Sequence, residues 1–571
     1  MPIELVFARQ ERPAGLSTLE QVQALRDEAR AEAQSAAAAQ AAIEALGVQG
    51  AYLSRADAEA AMVPPAARKI TVGNLAYRRD PAGVAIVTAD GARWSPDGEW
   101  TDLHFVGPDM SIEQRTAALQ AWCGSTAPQK IVLRGEHQIA GTLDLTNSSV
   151  TEVIAEPGGG LIRTTDEPIW RLLGSRPAGT TTQLITSTVQ IGARGVNINA
   201  PGDFFAVGDW VMLRCNDLTP GVTSGSRVGM IRKVASIGGA VLYLDAAVYR
   251  TMSSGPSVYK IALARSVEFI GGRYESIDQN NKSTLFHIFL ARDPIFTGVR
   301  YGNSGGPGIT LVNCVGGVWQ GCHVYNLRDE STIGHVGYGV ALAGACRGFQ
   351  FLSGRAERVR HAITTGTVTT GVVPAEYESI MSGRGEPENC YYGPVYCHDT
   401  TEAALDAHEQ GHNIRMVPNV HGCFSAINLR CNEVFVDGGI ISDCRRMGIK
   451  VLPPASNPTT TGTQRLTITG TVIDGIALDG SGGAESYGLY IARPGAEVLV
   501  QNARVSGYRG IGALVVDGAT LLMQGGMIDG GGVAGTTGVQ LEGSGSAIKG
   551  TIIRGNATDV SQAAGATNSI S

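Results

Sequence analysis

Five eleven-residue segments of the chain share one pattern of apolar and polar positions: EVFVDGGIISD (433–443), RLTITGTVIDG (465–475), EVLVQNARVSG (497–507), TLLMQGGMIDG (520–530) and GSAIKGTIIRG (545–555). Each holds two short alternating runs joined at Gly, Asn or Asp, the period of a half-buried strand. Looser copies stand at 266–277, 317–327 and 349–359. Between copies comes a second strand type led by Gly: YGVALAG (338–344), MGIKVLP (447–453), YGLYIAR (487–493) and GALVVDG (512–518). Repeats in the low twenties to low thirties, with two or three short strands each, predict a parallel β-solenoid. Its coils would stack about 4.8 Å apart, with Gly at corners that need φ > 0. Roughly 300 residues at about 25–30 per coil predict about ten to twelve coils. A helical repeat array is excluded, because the segments are short, β-branched and Gly-punctuated.

The rest of the chain departs from this pattern in stages. Residues 17–48 read as an Ala-rich helix, opened by an S-x-x-E box (Ser17, Glu20) and stopped at Gly47. Val22, Leu25, Ala29, Ala36, Ala39, Ile43 and Leu46 fall on heptad positions. Such a seam needs partner chains or a neighbouring surface. Short runs over 66–107 predict a small β-rich neck, 112–122 has helix period, and 205–260 reads as an inserted β-domain. The expected organisation is therefore an N-terminal attachment and helical segment (1–65), the neck (66–107), a first β-helical part with its capping helix (108–204), the insertion (205–260), the β-helix body (261–560) and a tail (561–571). The residues after 556 are expected to cover the far end.

Composition supports a core-forming, turn-rich β protein: 43% hydrophobic residues, 76 Gly, 17% charged and 6% aromatic. The net charge of −7 argues against a grip on many phosphates, so no nucleic-acid partner is expected. The basic residues are nearly all Arg. Arg suits planar contacts with carboxylates and sulfates, although a GC-rich coding sequence explains the bias more cheaply. The start lacks a basic region followed by a long apolar run, and no stretch is long and apolar enough to span a bilayer. Folding in a cytosol without membrane insertion is the expectation. The ten Cys, without a CxxC pair, are expected to be reduced core residues.

The segment 105–145, with its helix followed by IVLRGEHQIAGTLDL, resembles phage tailspikes of the pectate-lyase-like β-helix superfamily. Those usually start that helix with an Asp-Asp-Thr-Ala-Ala-like run, which here is degenerate (Asp109 to Ala118). The resemblance implies a mainly β protein, a right-handed parallel β-helix. It also implies a homotrimer joined by its N-terminus to a phage tail or baseplate protein, meeting a host surface polysaccharide such as capsule, exopolysaccharide or O-antigen.

Chemistry is concentrated in one interval. Seven of the ten His lie within 323–421, beside many acids and Tyr377, Tyr391, Tyr392 and Tyr396, while no His follows residue 450. Tyr faces with hydrogen-bonding groups suit a sugar site, although a polar loop excursion would look alike. The densest run is Asp406-Ala407-His408-Glu409-Gln410-Gly411-His412. In a strand, Asp406 and His408 share a face, where the carboxylate would orient the imidazole. D-A-H-E is similar to the D-P-H-E motif of mannuronan C5-epimerases, β-helices that act on uronic-acid polymers. That resemblance implies catalytic roles for Asp406 and His408. The Tyr that stands three residues before that Asp is Ala403 here, and the later R-H-G is closest to Arg446-Met447-Gly448. Arg360-His361 followed by D-A-H-E is instead the order seen in phage tail β-helices.

The candidate catalytic residues are therefore Asp406, His408, Glu409, His361, Arg360, Asp399 and Asp443. Tyr391, Tyr392, Tyr396, His412 and Arg446 are the candidate substrate contacts. Two mechanisms stay open. In a lyase-type reaction, Arg360 neutralises a uronate and His361 or His408 takes a proton. In a hydrolase, two carboxylates flank the bond. His408, Glu409 and His412 satisfy H-E-x-x-H, but Gly411 and the strand setting deprive that motif of the helix it needs. No metal or cofactor is expected. A non-catalytic receptor-binding fibre and a bacterial lyase or epimerase outside a virion are the alternatives to a polysaccharide-degrading tailspike.

Overall fold

The computed structural model describes residues 48–571 except 53, 64–66, 73, 82, 84, 98–99, 125–129, 220–225, 367–383, 454–463, 479–485 and 517, together with Gln23, Arg26, Asp27, Arg30 and Gln34. Those five positions are helical and exposed. The remainder of the helix expected over 17–48, with its capping box, lies outside the described residues as far as Gly47, and Val48 opens a strand instead. Among the described residues no helix is long and apolar enough to cross a membrane. The chain divides into two compact units, the first ending at Trp100 and the second beginning at Thr101.

The first unit is a five-stranded sheet, in the order Val48–Tyr52, Lys69–Val72, Leu75–Arg79, Arg93–Pro96, Ile86–Val87. Trp94, Ile70 and Tyr77 fill its core. A short helix, Arg55–Glu59, begins at Ser54, whose hydroxyl accepts from the Asp57 amide while Asp57 reaches back to the Ser54 amide.

The second unit is a parallel β-helix. A regular coil has three strands, as in Asn432–Asp437, Ile440–Ser442 and Met447–Val451. Each pairs in parallel with its counterpart in the next coil, Gln464–Thr469, Val472–Asp474 and Tyr487–Ile491. The eleven-residue segments are thus the first and second strands of a coil, and the Gly-led segments are the third. The third strands stack into one sheet of 13 among the described residues, here called the front sheet. Its twelve spacings of about 4.8 Å give a rod of roughly 58 Å. Alternate residues point inward, so Leu405, Ile427, Ile449 and Leu489 form a single buried stack.

Two kinds of corner need two kinds of residue. After each second strand the chain turns through a left-handed residue, and Asn326, Arg358, Asp399 and Asp443 take φ of 50–54° there. Gly475 and Gly507 replace them in later coils, at no steric cost. The Gly that leads each front strand answers to a different constraint. At Gly488, φ is not positive, but an added Cβ would lie 2.4 Å from Val505 Cγ1 and 2.6 Å from the Gly512 carbonyl. It is required for close approach between coils, not for backbone handedness as the sequence pattern suggested.

The helix Ile112–Cys123 starts at Ser111, which accepts from the Gln114 amide. Its Trp122 stacks on Phe105 with centroids 4.7 Å apart. Gln120 exchanges two hydrogen bonds with the backbone of Asp144, and Thr116 Oγ1 accepts from the Ala140 amide. The helix therefore hydrogen-bonds along the open edge of the first coil. The other end differs from expectation. Thr558–Gln562 pairs with Thr537–Leu541, and Ser569–Ile570 pairs with Ala547–Lys549. These residues extend the coils because they keep the strand register; they do not fold across the end.

Between the front strand Trp170–Leu173 and the strand Glu268–Ser276, the chain leaves the solenoid to form a six-stranded antiparallel sheet. That sheet takes in Gln183–Leu184 and Gly195–Asn197 as well as strands between Trp210 and Ile261. Val211, Leu213, Met230 and Val258 make its own core, while Met212, Ile231 and Tyr259 pack against Phe289, Val312 and Ala343 of the solenoid. Two buried ion pairs complete the join. Arg232 holds Glu388 through two contacts, the longer at 3.0 Å, and Arg250 holds Glu386 at 2.9 Å. All ten Cys are free and buried, filling the core as small apolar side chains.

The Gly488 contact gives a direct test. Gly488→Val should destabilise the native state by about 1–3 kcal/mol through overpacking, read from the denaturant midpoint. An unchanged midpoint would refute the close-approach explanation.

Candidate functional site

Stacked register turns one outward position of the front sheet into a column. Read coil by coil it runs Asp144, Arg171, His287, Thr310, Ala341, Thr364, Asp406, Asn428, Lys450, Tyr490, Leu514. The charged members all precede Tyr490, and beyond Leu514 the column continues with the uncharged Gln540 and Ser561. A groove of about 880 Å³ lies along this face, lined by Arg171, Lys282, His287, Thr310 and Tyr338 and ending at His408, Glu409 and Gln410.

Asp406 is the centre of the site. It is fully buried, and its carboxylate accepts from Thr364 Oγ1 at 2.8 Å on Oδ2 and from Asn428 Nδ2 at 2.6 Å on Oδ1. His408 Nε2 stands 2.6 Å from the same Oδ2. Burial alone would raise the Asp406 pKa, but its interactions with His408, His361 and Arg430, the His408 hydrogen bond among them, outweigh it and hold the carboxyl well below its usual range. It is therefore an ionised orienting group with its oxygens engaged.

The two imidazoles have assignable protons. Arg430 Nη1 lies 3.1 Å from His408 Nδ1. A guanidinium only donates, so Nδ1 accepts and Nε2–H donates to Asp406. His361 Nδ1 faces the Ala403 carbonyl, so it donates there, and its Nε2 lies 3.7 Å from Asp406 Oδ2. Burial lowers the His361 pKa, more than Asp406 raises it. The His361 ring stacks on Tyr338, with centroids 5.4 Å apart and planes at 19°. Burial also raises the Tyr338 pKa and keeps its phenol protonated.

Two cations complete the face. Arg430 lies 3.8 Å from Glu409 Oε2, an oxygen that has no hydrogen-bond donor. Lys450, one rung beyond Asn428, contacts Glu402 at 3.7 Å, and burial lowers its pKa. His361, Asp406 and His408 each place a ligand atom within 4.8 Å of the others, close enough to surround an ion. The donor set fits a hydrogen-bonded chain better, because Arg430 already points at His408 and a metal cation would face both guanidinium and ammonium.

The remaining candidates from the sequence are dispersed, for reasons of register. Arg360 adjoins His361 but is bound to Asp329 at 2.8 Å. Arg446 lies over the Phe424 ring at 5.6 Å. Asp399 and Asp443 are left-handed corner residues, and Asp399 contacts His398 at 3.0 Å. Tyr392 is a core residue set edge-on to Phe351. Tyr391 points outward from a first-strand sheet between Gln350 and Arg415, and Tyr396 lies on the second-strand sheet beside Arg355 and Asn419. His412 does not join His408, because the strand His412–Met416 begins a new coil there. Its ring stacks on Tyr249 of the inserted sheet at 4.5 Å. Sequence reasoning missed Arg430, Lys450, Asn428, Thr364 and Tyr338. The signal was present in the alignment of A-L-D-A with A-I-N-L and G-I-K-V, which sets Asp406, Asn428 and Lys450 in line.

The second unit has the parallel β-helix fold found in phage tailspikes. Among solved structures it is similar to the Gp54 tailspike of Acinetobacter baumannii bacteriophage AP22, determined in complex with A. baumannii capsular saccharide. The two share 15% identity over 77% of each chain, with a TM-score of 0.51. It is also similar to the tailspike gp49 of Pseudomonas phage LKA1, at 14% identity over 82% of this chain and 74% of that one, with a TM-score of 0.52. At these identities the likeness is one of fold. No protein-family model matches the chain, and no curated protein matches its sequence.

His412 yields a pH prediction. Burial, then the charges of Arg250 and Arg232, pushes its pKa down to about 3. An unfolded His titrates near ~6.5, so between those values the unfolded chain binds one more proton than the native one. This contribution to stability is complete above that upper value and falls with pH towards the lower one. His412→Gln should remove that share of the slope of denaturant midpoint against pH, and an unchanged slope would contradict the burial of a neutral ring.

Proposed function

We propose that this protein is a phage tail protein of the tailspike kind that binds an acidic host surface polysaccharide along the front-sheet groove and cleaves it by proton abstraction. The observation that carries the chemistry is the make-up of the groove. Among its described lining residues Glu409 is the one carboxylate, and the reacting end presents the His408 imidazole and the Tyr338 phenol, with Arg430 behind His408 and Lys450 beside Glu402. A two-carboxylate hydrolase needs a pair facing the bond, and Asp406 is buried with its oxygens engaged. The saccharide bound to the AP22 phage tailspike supports a glycan as partner for this fold.

In the proposed reaction, a uronate carboxylate draws Arg430 and Lys450, which releases His408 Nδ1. That nitrogen takes the C5 proton while Asp406 stabilises the imidazolium through Nε2–H. The C5–H electrons form the C4–C5 double bond, the C4–O4 bond breaks, and the Tyr338 phenol protonates the departing oxygen. His361 fixes the Tyr338 ring by stacking. Arg360, the cation expected from sequence, is replaced in this role by Arg430 because Asp329 occupies it. As a tail protein the chain acts as a homotrimer joined through its N-terminal segment to the tail or baseplate.

The test is incubation with alginate, polygalacturonate and a panel of uronate-containing capsular and exopolysaccharides. Ultraviolet absorbance from an unsaturated uronate is expected, with Asp406→Ala and His408→Ala each slowing it at least ~100-fold and Lys450→Ala raising KM. New reducing ends without absorbance would indicate hydrolysis and overturn the mechanism. Binding without either product would leave a receptor-binding fibre.

A further inference from the structure

The outward face of the second-strand sheet carries chemistry that the groove does not use. One column there runs Tyr325, Glu357, His398, His421, Ser442, Asp474, Ser506, Asp529. The neighbouring column holds Arg300, His323, Arg355, Tyr396 and Asn419. In the later coils the first column continues from Asp529 to Arg554 and the second runs Ile440, Val472, Arg504, Met527 and Ile552, so no aromatic ring recurs there and the fold does not require one at these positions.

Where they occur, they are held rigidly. Tyr396 is 38% exposed. Its ring is flanked by His398 at 5.4 Å and His421 at 5.2 Å, and Arg355 lies over it at 5.9 Å. His421 is fixed through both nitrogens, to Ser442 Oγ at 2.6 Å and Asn419 Oδ1 at 2.9 Å. Beneath them, buried Glu357 gathers Arg355 at 2.7 Å, His398 at 2.8 Å, His323 at 3.2 Å and Arg358 at 3.4 Å. Arg300 lies over Tyr325 at 6.0 Å. Arg300, Arg355 and Arg358 bring guanidinium groups to this patch, beside the carboxylates of Glu357, Asp399 and Glu275, the last of which accepts from Tyr325 Oη.

We propose that this patch is a second saccharide-binding surface, separate from the groove, on which a pyranose ring stacks against Tyr396 and His421 while its carboxylate meets Arg355, and Arg300, further along the column, meets a neighbouring acidic sugar of the same polymer. A half-exposed aromatic face beside fixed polar groups suits a sugar, and planar guanidinium suits a carboxylate. Ordering by Glu357 before binding lowers the entropic cost of capture. The left-handed corner at Arg358 and Asp399 separates this surface from the front sheet, so one acidic polymer can be tethered on one face while it is cut on the next. The inference rests on the polysaccharide reading above but not on the chemistry of His408.

The test uses full-length His408→Asn protein, which keeps the polymer intact, in affinity electrophoresis through gels containing polygalacturonate, alginate or hyaluronan. Tyr396→Ala and Arg355→Ala added to it should each raise the apparent Kd about tenfold, while Tyr396→Phe, which retains the ring, should not. An unchanged Kd in Tyr396→Ala, no retardation of the parent by any of the three polymers, or a changed oligomeric state in light scattering would each overturn the proposal. The two readings fail separately. Unchanged Kd with His408-dependent product removes this surface and keeps the groove, and weakened Kd without any cleavage product does the reverse.

Discussion

The parallel hydrogen-bond register between coils is the constraint from which the other features follow. Once Leu405, Ile427, Ile449 and Leu489 are stacked inward, the residue after each of them must face outward at a fixed spacing of about 4.8 Å. That geometry brings Thr364, Asp406, Asn428 and Lys450 together although they are far apart in sequence. It also explains the close-approach Gly, since a Cβ at Gly488 would strike the carbonyl of the coil above. A site built this way sits on strands instead of loops, and its side chains inherit the precision of the backbone ladder.

The site is placed where the solenoid is least regular. Glu386 and Glu388, on the run that leads into the coil of Asp406, are fixed by Arg250 and Arg232 of the inserted sheet. Buried charges are costly unless paired, so these bonds tie the insertion to that coil with a defined register. Glu388 shows the tension directly: burial raises its pKa despite Arg232. The insertion thereby supports the segment that His412 begins, and His412 belongs to this join and not to the chemistry.

The sequence disclosed the periodic part of this architecture and much less of the site. Repeats such as RLTITGTVIDG report burial directly, because alternation and Gly corners follow from local sterics. The D-A-H-E run located Asp406 and His408 because both lie within one strand and its exit. Tyr396 and Asp399 looked close to them in the chain, yet a corner separates the second-strand sheet from the front sheet. Arg430 and Lys450 looked remote, yet register makes them neighbours. Sequence distance thus misleads in a solenoid unless counted in coils. The leading Gly also resisted reading, since a requirement for no Cβ and a requirement for positive φ select the same residue.

Under the proposed chemistry, the resting site is held inactive by its own charge balance. With Arg430 donating to His408 Nδ1, the imidazole has both nitrogens engaged and cannot accept a proton. A neutral sugar offers Arg430 nothing better than His408 and Glu409, so the base stays covered. A uronate offers a full negative charge in a partly buried setting, where a charge-assisted bidentate contact outweighs a hydrogen bond to a neutral nitrogen. The same carboxylate is the group that must be neutralised for C5 to lose its proton. Recognition and activation would then be one event, and selectivity for acidic glycans would follow from the tautomer that Asp406 imposes on His408.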